Sequence, residues 1–127
     1  MKYLFDNCIS FRYAAMLGAL GVDAEPLRQN FAQDIQDVAL FKEMKGSRLV
    51  FVTADTRQVT RRQEAIALKE CGITAIFFGR FWSKLDFWQQ AAWLVTKWPR
   101  ISGFSENVTL GTCAEIKQNG AANVFAL

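Results

Sequence analysis

This sequence predicts an α/β fold, a mostly parallel sheet with helices on both faces and a C-terminal β-hairpin. Three observations carry the prediction. Apolar, β-branched runs such as "RLVFVT" (48–53) and "ITAIFF" (73–78) read as continuous buried strands, the form parallel sheets take. They alternate with longer stretches whose apolar residues recur at helical spacing. The joints carry helix-stop glycines at 21, 46 and 72. Such alternation makes successive strands parallel, joined by crossing helices.

The first strand is "KYLF" (2–5), ended by Asp6, and Asn7 begins a turn. From Ser10, the spacing of Phe11, Ala14, Ala15, Leu17 and Ala19 predicts a helix up to Gly21. "VDAEPL" (22–27) is a short strand that Pro26 ends or confines to an edge. "DIQDVALFKEMKG" (34–46) is a helix burying Ile35, Val38, Ala39 and Phe41. After strand 48–53, "TRQVTRRQEAIALKEC" (56–71) is a helix closed by Gly72, and strand 73–78 follows. Ser83 and Asp86 then open a helix in capping-box style, with Leu85, Trp88, Ala92 and Val95 on its apolar face and Pro99 as its stop. "TCAEIKQ" and "AANVFAL" flank Asn119-Gly120, the dipeptide that signals a two-residue hairpin. No repeat, low-complexity tract or linker breaks the chain, so 1–127 reads as one domain.

The bulk numbers exclude more than they assign. With 127 residues, 51% of them hydrophobic, the chain can bury a sizeable core. Its 15 basic and 12 acidic residues leave a formal charge of +3, which permits an anionic partner without demanding one. Cys8, Cys71 and Cys113 are odd in number and widely spaced, as expected of reduced, packing thiols in a cytoplasmic protein. No stretch approaches the roughly 18 apolar residues of a membrane span. Histidine is absent. That removes Ser-His-Asp and Cys-His nucleophilic machinery and the commonest zinc ligand, leaving carboxylates around a hard cation as the favoured chemistry.

The acids gather accordingly. Asp6 ends the first strand, Asp55 follows "RLVFVT", and Asp34 and Asp37 open the helix that leads into that same strand. A helix entering a strand's amino end begins near the sheet's carboxyl edge, where open α/β sheets bind ligands. Carboxylates converging there repel unless a cation joins them, and Mg²⁺ or Mn²⁺ is the oxygen-seeking candidate. Each acid also has a local reading. Asp34 and Asp37 could form a capping-box-like pair, Asp55 could cap with Gln58, and Asp6 could serve its own turn.

The segments "YLFDN", "DIQDVALFKEMKGSRLVFVTAD" and "ITAIFF" together resemble the PIN-like domain ribonucleases, specifically the short toxin type of bacterial toxin–antitoxin modules. The resemblance covers roughly residues 1 to 80; residues 81–127 are a helix-plus-hairpin extension. It implies metal-dependent hydrolysis of RNA phosphodiesters, with Asp6, Asp37 and Asp55 as catalytic metal ligands for one or two ions that activate water and stabilise the leaving oxygen. The eighteen-residue spacing to Asp55 selects Asp37 over Asp34, which is kept as a supporting acid. Thr53 is expected to support Asp55 through its hydroxyl, and Asn7 and Ser10 to contact water or phosphate. Arg57, Arg61 and Arg62 are the expected RNA-binding cations, with 57 and 61 one helical turn apart. The ordinary family member has a further acid between the first strand and the Asp34 region. Here only Asp23 and Glu25 lie there, as fits the shortened subgroup.

Two alternatives stay open: a catalytically silent PIN-like binding module, and a receiver-like domain with Asp55 as phosphoacceptor. The latter wants an acid pair at the first strand and a late lysine. Expected partners are RNA, a cognate antitoxin and a second copy. Helix 84–98, with Trp88 and Trp98 read as sharing a face, and the hairpin are the expected protein-binding surface. The aromatics Phe77, Phe78, Phe81, Trp82, Phe87, Trp88, Trp93 and Trp98 could stack on bases but are read as core or oligomer contacts.

Overall fold

The fold was obtained as a computed structural model, which describes every residue except 33, 56, 58–60 and 127. Among the described residues, six strands form one sheet in the order β2-β1-β3-β4-β5-β6. These are β1 Lys2–Phe5, β2 Ala24–Pro26, β3 Leu49–Thr53, β4 Thr74–Phe78, β5 Cys113–Ile116 and β6 Ala122–Val124. All neighbours pair in parallel except β5 and β6. The helices are α1 Phe11–Ala19, α2 Asp37–Met44, α3 Arg62–Cys71, α4 Phe81–Lys84 and α5 Phe87–Asn107.

Side-chain alternation along the strands divides the core in two. Tyr3, Phe5, Val50, Val52, Ile76 and Phe78 meet Tyr13 and Leu17 of α1, Trp82 of α4, and Trp93 and Trp98 of α5. Leu4, Phe51, Ala75 and Phe77 face the other way, onto Leu40, Phe41 and Met44 of α2 and Ala67 and Leu68 of α3. Each Val, Leu, Ile, Phe or Met side chain so buried contributes about 1.5–3 kcal/mol relative to exposure. A sheet buried on both faces is why its strands read as unbroken apolar runs.

Four local expectations are corrected. Helix α2 begins at Asp37, not Asp34; Gln36 is its N-terminal flank and makes no side-chain cap bond. Asp34 stands exposed in the preceding turn. The capping box is formed by Asp86 and Gln89, not Ser83 and Asp86, and opens α5 after the short α4. Pro99 does not stop that helix, which runs on to Asn107. An interior proline costs roughly 3 kcal/mol by freeing one carbonyl. Here that carbonyl belongs to Val95, a residue on the exposed side of the helix, while Trp98, Ile101 and Ser105 keep the helix on the sheet.

The hairpin loop is the fourth correction. Lys117 N–H bonds Ala121 carbonyl and Gly120 N–H bonds Lys117 carbonyl, so residues 118–120 form a three-residue loop. Gly120 supplies its left-handed residue at φ +88°. Trp93 Nε1 donates to Gln118 carbonyl at 2.7 Å and Arg100 to Asn119 carbonyl at 3.0 Å, tying the loop to α5. The hairpin thus extends the sheet. Trp88 and Trp98 do not share a face: ten residues fall about 80° short of three helical turns. Trp98 is buried and Trp88 is 80% exposed. The first turn of the helix expected over 56–71 lies mostly outside the described residues. No described helix is long and apolar enough to cross a membrane.

Candidate active site

The chain leaves β1 to form β2 on one side, then crosses to form β3 on the other. The reversal places a topological switch point between β1 and β3, and ligands of open α/β sheets bind at the carboxyl ends of such strands. Asp6 directly follows β1 and its N–H continues the ladder to Val52 carbonyl at 2.8 Å. Asp55 lies two residues beyond β3. The sheet itself puts both acids at this crevice.

One hydroxyl joins them. Thr53 is fully buried, and its Oγ1 donates to Asp6 Oδ2 at 2.7 Å while accepting the Asp55 N–H at 3.1 Å. The side-chain support expected for Asp55 therefore goes to Asp6. The other Asp6 oxygen accepts the Asn7 N–H at 2.8 Å. Cys8 completes the cluster, its sulfur 3.3 Å from Thr53 Oγ1 and 3.6 Å from Asp6 Oδ2, accepting the Ala54 N–H at 3.4 Å. Cys8 as a whole is exposed, but its sulfur lies against buried Thr53; desolvation there, and then the charge of Asp6, push this thiol up to about 11. Reading all three cysteines as packing missed Cys8. Its signal was its place two residues after a strand-ending acid.

Asp55 has a different environment. Arg57 donates from Nε to Oδ1 at 2.8 Å and from Nη2 to Oδ2 at 3.2 Å, a two-point grip. This contact holds the Asp55 carboxyl below the usual carboxylate range. Asp37, the first residue of α2, is near enough for its charge to act on Arg57 as well. The Arg61 N–H bonds the Arg57 carbonyl at 2.8 Å and its side chain pairs with Glu64 at 3.5 Å; Arg62 is exposed. Gln58, the alternative capping partner of Asp55, lies outside the described residues.

Ser10 is the N-cap of α1, accepting the Arg12 N–H at 3.3 Å. With Asp6, Asn7, Phe11, Pro26 and Arg28 it lines an open cavity of about 130 Å³ beside the acids. Phe11 and Arg28 were not anticipated; the Arg28 guanidinium lies over the Phe11 ring, 3.9 Å from its centroid. Glu25 has a structural post instead, bonding Lys2 at 3.2 Å and Asn30 at 2.8 Å. It cannot serve as the further acid of the ordinary family pattern. Strand β4 is followed by Gly79 and Arg80 and strand β5 by Lys117, but Asp6 is followed by Asn7, without the acid pair of a receiver-like site.

The donor chemistry fits a hard divalent ion: oxygens from Asp6 and Asp55 at adjoining strand ends, with Asp37 sharing the cationic neighbour of Asp55, Arg57. They form no closed cage, for among the described residues no three metal-ligating side chains lie close enough together to hold an ion. The guanidinium is the cation at Asp55, and its side chain is 69% exposed.

A family model described as PIN like domain matches residues 1–80, which span β1 to the end of β4. No curated protein and no solved structure matches the chain.

Proposed function

The chain belongs to the PIN-like domain family, and on that premise we propose that it is a metal-dependent endoribonuclease, the cytoplasmic toxin of a toxin–antitoxin module. The observation that carries the reading is the pairing of Asp6 and Asp55 through Thr53 at the β1–β3 switch point. Asp6, Asp37 and Asp55 are the residues that would hold Mg²⁺ or Mn²⁺. When bound, such an ion supplies activation of water and neutralisation of phosphate charge.

The chain's own groups do the rest. Thr53 fixes one oxygen of Asp6 and orients the backbone at Asp55, so both acids keep their aim. Arg57 is exposed, and an exposed ion pair is weak enough to exchange a carboxylate for a phosphate oxygen. Arg61 and Arg62 extend the cationic side, and Asn7 and Ser10 line the approach to Asp6. The toxin role, and with it an antitoxin partner, follows from likeness to the short family subgroup.

A catalytically silent module is the second reading. It is favoured by one observation, the Arg57 grip on Asp55. Incubating RNA with the protein and Mn²⁺, with EDTA as control, separates the two: the ribonuclease reading expects chelator-sensitive cleavage, and the silent module none.

A further inference from the structure

A row of exposed aromatic and cationic side chains runs outward from the acid cluster, and only its Phe11 and Arg28 line the cavity beside Asp6. Phe11 opens α1 and is 45% exposed; Phe87 and Trp88 open α5 and are 41% and 80% exposed. These helix starts meet at the carboxyl rim of the sheet. Tyr13 ties them, stacking on Phe87 at 5.2 Å and donating its hydroxyl to the Phe87 carbonyl at 2.9 Å. An arginine lies over each of two of the rings. Arg12 lies 5.8 Å from the Phe87 centroid, and Arg28, just beyond β2, covers Phe11. At its Arg28 end the row enters the cavity lined by Asp6 and Ser10.

We infer that this row, Trp88–Phe87–Arg12–Phe11–Arg28, is a track for single-stranded RNA that leads one flank of the substrate to Asp6. The ligand's identity rests on the ribonuclease reading; the track rests on the geometry. Exposed rings and guanidinium planes stack unpaired bases, and interleaved cations meet phosphates of the same strand. A protein partner or second copy would use the rings but has no need of the guanidinium groups over Phe87 and Phe11. The track also runs on the α1/α5 side of the sheet, opposite Arg57 and Arg61. A strand crossing the acids would then be held on both sides.

Trp88 makes this measurable, because the other three tryptophans are each at most 8% exposed. Binding of a short fluorescein-labelled single-stranded oligoribonucleotide is measured in EDTA, so that cleavage plays no part. Wild-type protein should bind, with quenching of Trp88 emission and preference over duplex RNA. Trp88→Ala, Phe11→Ala and Arg28→Ala should each weaken binding by on the order of tenfold. Arg28→Lys should fall between, and the control Leu110→Ala, off the rim, should bind as wild type. Equal binding by all variants would overturn the track, as would loss of self-association in Trp88→Ala with RNA affinity intact. If the variants lose binding while Mn²⁺ induces no cleavage, the track stands and the ribonuclease reading falls. If Mn²⁺-dependent cleavage occurs but binding ignores the variants, the reverse holds.

Discussion

The Thr53 hydroxyl donates to Asp6 Oδ2 at 2.7 Å across 47 residues of chain, and Thr53 Oγ1 in turn accepts the Asp55 N–H. A buried side chain at the end of β3 thus sets the position of the acid at the end of β1. Thr53→Val keeps the shape and removes both bonds. It should lower stability by about 1–3 kcal/mol, because Asp6 and the Asp55 amide lose a partner where water enters poorly. Thr53→Ser should recover most of that. Urea unfolding of the three proteins checks it; equal midpoints for wild type and Thr53→Val would show the hydroxyl to be idle.

Cys8 reports on the same cluster. With its thiol raised to about 11, little thiolate exists near neutral pH. Alkylation at Cys8 should be about tenfold slower than at an ordinary exposed cysteine, the lower thiolate fraction outweighing the higher nucleophilicity. Asp6→Asn removes the second cause of the shift and should speed the reaction. Peptide mapping after timed iodoacetamide treatment resolves Cys8 from Cys71 and Cys113. Unchanged reactivity in Asp6→Asn would argue against the contact.

The Asp55–Arg57 pair should leave an acid signature. Asp55 is held below its ordinary value by Arg57, so its contribution to stability is complete above the unfolded carboxylate's pKa of about 4 and is lost as pH falls through the lower folded value. Wild type should therefore be more stable than Arg57→Ala at neutral pH, with the gap closing in acid. Thermal unfolding of both proteins across that range is the measurement. A gap that persists once Asp55 is protonated would mean Arg57 stabilises through something other than this carboxylate.

Much of this arrangement was legible before the coordinates. Strands β3 and β4 are buried on both faces and so lack alternation, which gave their boundaries nearly to the residue. Asp6 and Asp55 were recognisable because an acid that ends an apolar run must emerge at a strand end. What stayed hidden depends on distant partners. Nothing local says that Thr53 turns to Asp6, that Cys8 joins them, or that Arg28 covers Phe11. Pro99 misled for a related reason: local chemistry favours a stop there, and burial of Ile101 and Ser105 on the sheet outweighs it. Asp34 has the chemistry of a cap, yet the helix starts three residues later, at Asp37.

The central claim is that the acids at the β1–β3 crevice hold a divalent ion that cuts RNA. The most direct measurement is cleavage of a mixed RNA pool with Mn²⁺ or EDTA by wild type, Asp6→Asn, Asp37→Asn, Asp55→Asn and Asp34→Asn, with thermal unfolding in parallel. Asparagine caps helices and fills turns about as well as aspartate, so a merely local role would survive the exchange. A metal site would not, because each exchange removes a negative charge from the cation's ligands. Wild type should cut only with metal, the first three variants should be inactive yet folded, and Asp34→Asn should be milder. Wild-type protein that leaves RNA intact in Mn²⁺, or folded Asp6 and Asp55 variants that cut normally, would contradict the account.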